Sequence, residues 1–179
     1  MQLEQNFFEL FDLAVGYHLD PHLLSDRYHA LQKEVHPDRF AHASEREQLR
    51  AVQYTAHINE ALTTLKDPLK RAQYLLKLRG RELCSELGGR IDPLFLMQQM
   101  ELRERLEAAP AHADPESELE GLQQEVEEHW AQLETEFIQS LAGLTEQDLD
   151  EAVARVRKMQ FLDKLLHEIE QAEDHLTDY

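Results

Sequence analysis

Residues 31–40 read LQKEVHPDRF, and this stretch decides the fold because it joins two segments of helical periodicity. Pro37 fixes its own φ angle and disfavours helix at the residue before it, so the first helix must end there. That helix starts at Asp20-Pro21, a capping residue followed by proline at the first helical position. The second helix starts at Ser44, which has the spacing of a capping box with Glu47. The sequence therefore predicts a helical hairpin with His36-Pro37-Asp38 in its connecting loop.

Apolar residues at steps of three and four mark one face of each helix of the hairpin. They are Leu24, Tyr28, Leu31 and Val35 on the first helix, and Ala51, Thr55, Ile58, Leu62 and Leu65 on the second. A short helix from Asn6 to about Gly16 precedes the hairpin, and another follows it from Asp67-Pro68 through Leu76. These four helices are the predicted first domain, residues 1–79.

Residues 80–179 predict three further helices. Asp92-Pro93 starts the first, which runs to about Ala108 and is followed by a loop over residues 109–115. Ser117 starts a long helix that Gly143 stops, and Thr145 caps the last helix. The apolar stripes of the two long helices are typical of a bundle; they are Leu119, Leu122, Val126, Trp130, Leu133, Phe137 and Leu141, then Leu149, Val153, Val156, Leu162, Leu166 and Ile169. The predicted fold class is all-α, a flanked hairpin followed by a three-helix bundle.

The charge of the 179-residue chain supports the same division. Residues 1–79 contain 10 basic and 11 acidic residues, whereas residues 80–179 contain 8 basic and 25 acidic ones, and the whole chain has a net charge of −18. A chain this acidic is a poor candidate for nucleic-acid binding, which needs clustered cations. No apolar run is long enough to span a membrane, and the start of the sequence lacks the pattern of a secretory signal or a transit peptide. We therefore expect a cytoplasmic protein.

Catalytic and metal-binding motifs are not found in the sequence. Its single cysteine, Cys84, excludes an internal disulfide and a cysteine-based zinc site, and it fits a packing role better than a nucleophilic one. No phosphate-binding glycine loop, Gly-x-Ser-x-Gly or His-Glu-x-x-His occurs. Glu125 and His129 share a helix face and fit a solvated pair better than metal ligands. We expect no enzymatic activity, no metal and no cofactor.

The loop tripeptide becomes specific through its context. A helix carrying Arg27 and Lys33 precedes His36-Pro37-Asp38, Arg39-Phe40 follows it, and the next helix contains Ile58-Asn59-Glu60-Ala61. On these residues, the stretch from 6 to 76 resembles the J domain of the Hsp-forty co-chaperone family. Taken alone, the tripeptide would also fit an ordinary turn.

Two C-terminal segments extend the resemblance to nearly the whole chain. They are residues 95–104, FLMQQMELRE, and residues 156–165, VRKMQFLDKL. Both are similar to the HscB family, the J-type co-chaperones dedicated to iron–sulfur cluster assembly. Mitochondrial members carry an N-terminal pair of Cys-x-x-Cys motifs, and their lack here points to the bacterial form.

The resemblance implies a partner for the loop. A J domain docks on an Hsp-seventy-class chaperone ATPase and favours ATP hydrolysis, and His36, Pro37 and Asp38 match the residues that do so. Arg27, Lys33 and Arg39 would steer the domain toward an acidic ATPase surface. Asp26 and Glu34 lie beside these cations, so we expect modest affinity and a restricted partner.

The fifth helix carries a second apolar face. At about 100° per residue, Phe95, Leu102 and Leu106 share one stripe, whereas Leu96, Met97 and Met100 lie elsewhere on the helix. Periodicity alone leaves two interpretations open, a wider core or a partner-binding surface. The resemblance favours the second, because the HscB surface for the iron–sulfur cluster scaffold protein matches Leu96, Met97, Met100, Glu101, Glu104 and Phe161. One acidic position of that surface is Ala108 here.

The leading hypothesis is a co-chaperone that links the chaperone ATPase to the scaffold protein. The alternative is a general J-type co-chaperone for unfolded clients, but the glycine- and phenylalanine-rich linker and β-rich client domain of such proteins are not visible. An acidic helical enzyme would need carboxylates gathered around an activating histidine. A purely structural coiled coil would leave the His36-Pro37-Asp38 loop unexplained.

Overall fold

The computed structural model describes residues 5–40, 43–81, 83, 92–143 and 145–177. All the regular structure in these ranges is helical, which confirms the predicted fold class. The chain divides into two compact units, Met1–Leu75 and Leu76–Tyr179. The division into functional domains at residues 1–79 and 80–179 remains a prediction. Cys84 lies outside the described residues.

The first unit is built around the predicted hairpin. Its elements are α1 (Phe7–Leu10), α2 (Pro21–Glu34), a 3-10 helix (Pro37–Phe40), α3 (Glu45–Lys66) and α4 (Pro68–Leu78), within which the boundary between the units falls. The Asp20 carboxylate accepts the N–H of His22 at 2.8 Å, and the Glu47 carboxylate accepts the N–H of Ser44 at 2.9 Å. Both predicted helix starts are thus confirmed.

The core of the first unit combines the hairpin stripes with aromatic residues near the N-terminus. Leu24, Val35, Ile58 and Leu65 are buried as predicted, whereas Tyr28, Leu31, Thr55 and Leu62 are only half-buried. Much of the remaining volume is filled by the buried side chains Phe7, Phe8, Phe11, Tyr17 and Tyr54. Phe7 also stacks on Tyr74, with ring centroids 4.4 Å apart.

The first helix is shorter than predicted. It ends at Leu10 rather than near Gly16, because Asp12 adopts a left-handed conformation with φ of 52°. That conformation ends an α-helix, and aspartate tolerates it better than most residues do. The N–H of Leu13 then donates to the carbonyl of Phe8 at 2.9 Å, which closes the turn.

The second unit contains the predicted three-helix bundle, with helices α5 (Pro93–Ala108), α6 (Pro115–Ala142) and α7 (Glu146–Thr177). Helix α6 begins at Pro115 and not at Ser117, because Asp114 caps it by accepting the N–H of Ser117 at 3.2 Å. Part of the predicted loop before it is a 3-10 helix, Ala109–Ala111. At the start of α7, the Thr145 hydroxyl accepts the N–H of Asp148 at 3.1 Å, which confirms the predicted cap.

Helix α7 faces its neighbours with a slightly different stripe from the predicted one. Its buried residues are Ala152, Val156, Met159, Leu162, Leu165 and Ile169. Leu149, Val153 and Leu166 are half-buried. The predicted stripe missed Ala152, Met159 and Leu165 because α7 is apolar over a wide arc, so the sequence alone does not fix which side is fully covered.

Candidate functional site

The tip of the hairpin is held by backbone hydrogen bonds. Val35, the buried residue that follows α2, donates its N–H to the carbonyl of Leu31 at 3.2 Å. Pro37 opens a single turn of 3-10 helix, and the N–H of Arg39 donates to the carbonyl of His36 at 2.9 Å. His36, Pro37 and Asp38 are therefore presented from a short, hydrogen-bonded turn at the end of α2.

The side chains of His36 and Asp38 lie beside each other in solvent. The imidazole Nδ1 lies 3.5 Å from Asp38 Oδ2 and 3.3 Å from the Asp38 N–H. Only an unprotonated Nδ1 can accept that N–H, whereas a protonated one would pair with the carboxylate. The Asp38 side chain is 91% exposed, so its carboxylate is available to donors on a partner.

The three predicted steering cations differ in their surroundings. Arg27 Nη2 lies 3.0 Å from Asp12 Oδ2, so an acidic residue of the same unit already offsets its charge. Arg39 folds back toward α2, and its Nη1 lies 3.5 Å from the carbonyl oxygen of Lys33. Lys33 itself is exposed near the tip. The structure thus places Lys33 and Arg39 next to the tip, whereas Arg27 lies further back and is paired.

An open groove adjoins the tip, and the sequence did not predict it. It lies between α2 and α3 and is lined by both polar and apolar side chains, including Lys33, His36, Asp38, Val52 and Ala56. Val52 is 66% exposed although it is apolar. The predicted ATPase-binding residues therefore border an apolar surface on α3.

In the second unit, the predicted scaffold-binding residues of α5 lie on an exposed face. Leu96, Met97 and Met100 are 43%, 67% and 56% exposed, and Glu101 and Glu104 are also exposed. Leu102 on the other side of α5 is buried. We call Leu94, Leu96, Met97, Met100, Glu101 and Glu104 the α5 face.

Leu94 belongs to this face and was missed by the sequence analysis. It is 73% exposed, more than any of the three predicted apolar residues. It lies one helical turn before Met97, so the two side chains are neighbours on the helix surface. Its position immediately after Pro93 hid it, because a helix start shows too little periodicity to assign a side.

Phe161 lies apart from the exposed residues of the α5 face. It is half-buried on α7 and meets Phe95 edge to face, with ring centroids 5.8 Å apart and planes at 86°. Phe95 and Leu96 point about 100° apart around α5. The structure therefore connects Phe161 to the face through Phe95.

Two cations complete this contact between α5 and α7. Lys158 Nζ lies 5.0 Å from the centroid of the Phe95 ring and 2.7 Å from Asp92 Oδ2. Arg103 Cζ lies 5.6 Å from the centroid of Phe161, and its Nη2 lies 3.3 Å from Glu168 Oε1. The hydrogen bond from Lys158 is the main cause that lowers the pKa of Asp92 below its usual value.

The Glu125 carboxylate pairs with Arg105. Within the described ranges, no group of histidine, cysteine and acidic side chains is arranged to hold a metal ion. The helices of those ranges also include none that is long and apolar enough to cross a membrane.

The chain is similar to known proteins along nearly all of its length. Residues 91–170 match the family described as the HSCB C-terminal oligomerisation domain. The co-chaperone protein HscB homolog of Vibrio cholerae is 47% identical over 172 residues, which are 96% of this chain and 98% of that protein.

Solved structures show the same similarity. The structure of the chaperone HscB from Vibrio cholerae superposes with a TM-score of 0.84 at 46% identity, covering 96% of this chain and 99% of that one. The crystal structure of human co-chaperone protein HscB gives a TM-score of 0.85 at 27% identity, covering 97% of this chain and 84% of that one.

Proposed function

This chain belongs to the HscB family of co-chaperones, and we propose that it couples an Hsp-seventy-class chaperone ATPase to an iron–sulfur cluster scaffold protein, aiding cluster assembly and transfer. The observation that supports this most is the presence of two exposed candidate surfaces, one in each compact unit. The hairpin tip with His36 and Asp38 lies in the first unit, and the α5 face lies in the second. An adaptor needs two such surfaces, because it must contact two partners.

The tip would act on the ATPase by binding, without bond chemistry of its own. Asp38 offers a carboxylate that can accept charge-assisted hydrogen bonds from an arginine of the ATPase. Pro37 limits the conformations of the turn, so less entropy is lost when the tip docks. Lys33 and Arg39 would speed the encounter with an acidic surface, and Arg27 would contribute less because Asp12 offsets its charge.

The α5 face would bind the scaffold protein through an apolar centre and an acidic end. Leu96, Met97 and Met100 offer apolar area, and methionine side chains adapt to the shape of a partner. Glu101 and Glu104 lie toward the C-terminal end of the face and complement basic residues on the scaffold. Phe161 would support the face through Phe95. The iron–sulfur cluster is cargo carried by the scaffold in this proposal.

The test is ATP turnover by the chaperone from the same organism, measured with and without this protein and with and without the scaffold. We expect stimulation by the protein and a larger, synergistic stimulation with the scaffold, since binding to both partners raises their effective concentration. Asp38→Asn should remove the stimulation. Glu60→Gln, which removes an exposed carboxylate of α3, is the matched control and should behave as wild type. Normal stimulation by Asp38→Asn would contradict the proposal.

A second candidate function is self-association through the bundle. The observation that favours it is the name of the matched family domain, which describes oligomerisation and covers residues 91–170. The exposed apolar residues of the α5 face would suit a contact between copies. Analytical ultracentrifugation over a range of concentrations decides: a dimer that Leu96→Ala and Met97→Ala dissociate would support self-association, whereas a monomer at all concentrations would exclude it.

A further inference from the structure

Burial of apolar side chains does little to fix the rotation of α5. Leu102 is the one residue within the helix that is buried, whereas α6 buries six apolar residues between Leu119 and Leu141. Phe95 and Leu106, the other members of the inner stripe of α5, are half-buried. Something besides a deep apolar core must therefore determine which side of α5 faces the solvent.

Lys158 and Arg103 are arranged reciprocally between α5 and α7. Lys158 of α7 lies over the Phe95 ring of α5 and pairs with Asp92, also near the start of α5. Arg103 of α5 lies over the Phe161 ring of α7 and pairs with Glu168, also of α7. Each helix thus supplies one cation to a ring and a carboxylate of the other helix. We call these four contacts, together with the edge-to-face packing of the two rings, the α5–α7 clasp.

We propose that Arg103 and Lys158 are positioning residues for partner binding: through the α5–α7 clasp they hold the orientation of α5 in which the α5 face is presented to the scaffold protein. This inference rests on the proposed function, because it assigns a role in binding to residues that lie beside the face. The physical reason is directional. A cation is attracted to the face of an aromatic ring and a ring edge to the face of another ring, so both contacts weaken when either helix rotates.

The positions of the clasp contacts along α5 fit this role. Asp92 also caps α5 by accepting the N–H of Leu94 at 3.1 Å, so Lys158 is tied to the end of α5 where the apolar residues of the face lie. Arg103, next to Glu104 of the face, ties the later turns of α5 to Glu168 of α7. Loss of either cation would free the adjoining ring and allow α5 to rotate about its axis, which would misalign Leu96 and Met97 for binding.

Binding of the scaffold protein by isothermal titration calorimetry tests the proposal in the full-length chain. Arg103→Gln and Lys158→Gln should each weaken binding by about fivefold. Lys158→Arg should restore most of the affinity, because it keeps a cation over Phe95. The matched control is Arg155→Gln, which removes a cation of α7 whose ion-pair partners Glu136 and Glu151 are on α6 and α7 rather than on α5. It should bind within about twofold of wild type.

A double-mutant cycle separates positioning from a general loss of stability. On a Phe161→Leu background, Arg103→Gln should cause a smaller loss of affinity than on the wild-type background, because the ring through which part of its action passes is already absent. An equal loss on both backgrounds would overturn the assignment of Arg103. If Arg103→Gln does not fold, as judged by circular dichroism, Lys158→Gln with its Lys158→Arg rescue provides the same test for the other half of the clasp.

The controls also distinguish this inference from the proposed function. If Leu96→Ala and Met97→Ala weaken scaffold binding while Arg103→Gln and Lys158→Gln bind as wild type, the clasp proposal is overturned and the scaffold surface stands. If Leu96→Ala and Met97→Ala also bind as wild type, the α5 face is not the scaffold surface and both proposals fall.

Discussion

Asp12 Oδ2 lies 3.0 Å from Arg27 Nη2, so the residue that ends α1 also pairs with a cation of α2. The left-handed φ of 52° at Asp12 turns the chain just after α1. An exposed ion pair of this kind contributes little to stability. Its larger effect concerns the charge that this unit presents to an acidic partner, because Asp12 offsets one of the three cations predicted to steer docking.

Replacing Asp12 by asparagine should therefore speed the encounter with the chaperone ATPase. Asparagine tolerates the same left-handed conformation, so the change removes the charge and keeps the turn. We expect the association rate to rise by about twofold in low salt and the gain to disappear at about 0.5 M salt, where exposed charges are screened. Stopped-flow association measures this, and Glu60→Gln controls for the change in net charge. An equal gain with Glu60→Gln would show that pairing with Arg27 is not the cause.

Leu94 should contribute to scaffold binding as strongly as the residues that the sequence identified. Truncating an exposed leucine that becomes buried at an interface costs about 1–2 kcal/mol, or roughly 5- to 30-fold in affinity. We expect this loss for Leu94→Ala in calorimetry with the scaffold protein. Leu49→Ala, which truncates a leucine of α3 that is 58% exposed, is the matched control and should have no effect. Unchanged binding by Leu94→Ala would limit the apolar part of the α5 face to Leu96, Met97 and Met100.

Two glycines of the bundle should respond oppositely to the same substitution. A Cβ at Gly143 would lie 2.3 Å from the Asp148 carboxyl group, whereas a Cβ at Gly121 would have nothing within 4 Å. Gly143→Ala should displace Asp148 from its hydrogen bonds with Thr145 and cost about 1–2 kcal/mol. Gly121→Ala, within exposed helix, should stabilise by up to about 1 kcal/mol.

Urea denaturation followed by the fluorescence of Trp130 measures both glycine variants. Trp130 is the only tryptophan in the sequence and lies in α6, so its signal reports on the second unit. Equal stability of the two variants would contradict the geometry at the α6–α7 turn.

The same signal should reveal an acid-dependent contribution from Asp148. Its hydrogen bonds from Thr145 hold the pKa of the carboxyl below its usual value. A carboxyl with a lowered folded-state pKa stabilises the protein above its unfolded pKa of about 4, and this contribution is lost as the pH falls through the folded value. Asp148→Asn should therefore be less stable than wild type at about pH 6, and the difference should shrink below about pH 4. A difference independent of pH would show that the charge of Asp148 is not involved.

The helices could be predicted wherever a local capping signal in the sequence marks their start. Asp20-Pro21 and Asp92-Pro93 place a capping carboxylate before a proline, and α2 and α5 begin there. Asp114-Pro115 carries the same signal, and α6 begins there, two residues before the predicted start at Ser117. The end of α1 depends on the conformation of a single aspartate, for which the sequence gives only a weak preference.

The candidate site likewise combines residues that the sequence identifies with contacts that it does not. Helical periodicity separates Leu96, Met97 and Met100 from the inner stripe of α5, but their exposure to solvent is seen only in the structure. The clasp could not be predicted, because Arg103 and Phe161 are 58 positions apart and nothing local indicates that a cation of one helix covers a ring of another. Periodicity also left the packed side of α7 ambiguous, since Val153 and Leu166 are as apolar as the residues that are fully buried.

The measurement that most directly tests the account is steady-state ATP turnover by the chaperone, with the full-length protein titrated in the presence and absence of the scaffold. Asp38→Asn should lose stimulation under both conditions while still binding the scaffold. The triple variant Leu96→Ala, Met97→Ala, Phe161→Ala should keep the basal stimulation and lose the synergy with the scaffold. Synergy that survives the triple variant, or stimulation that survives Asp38→Asn, would contradict the division of the two binding functions between the two units.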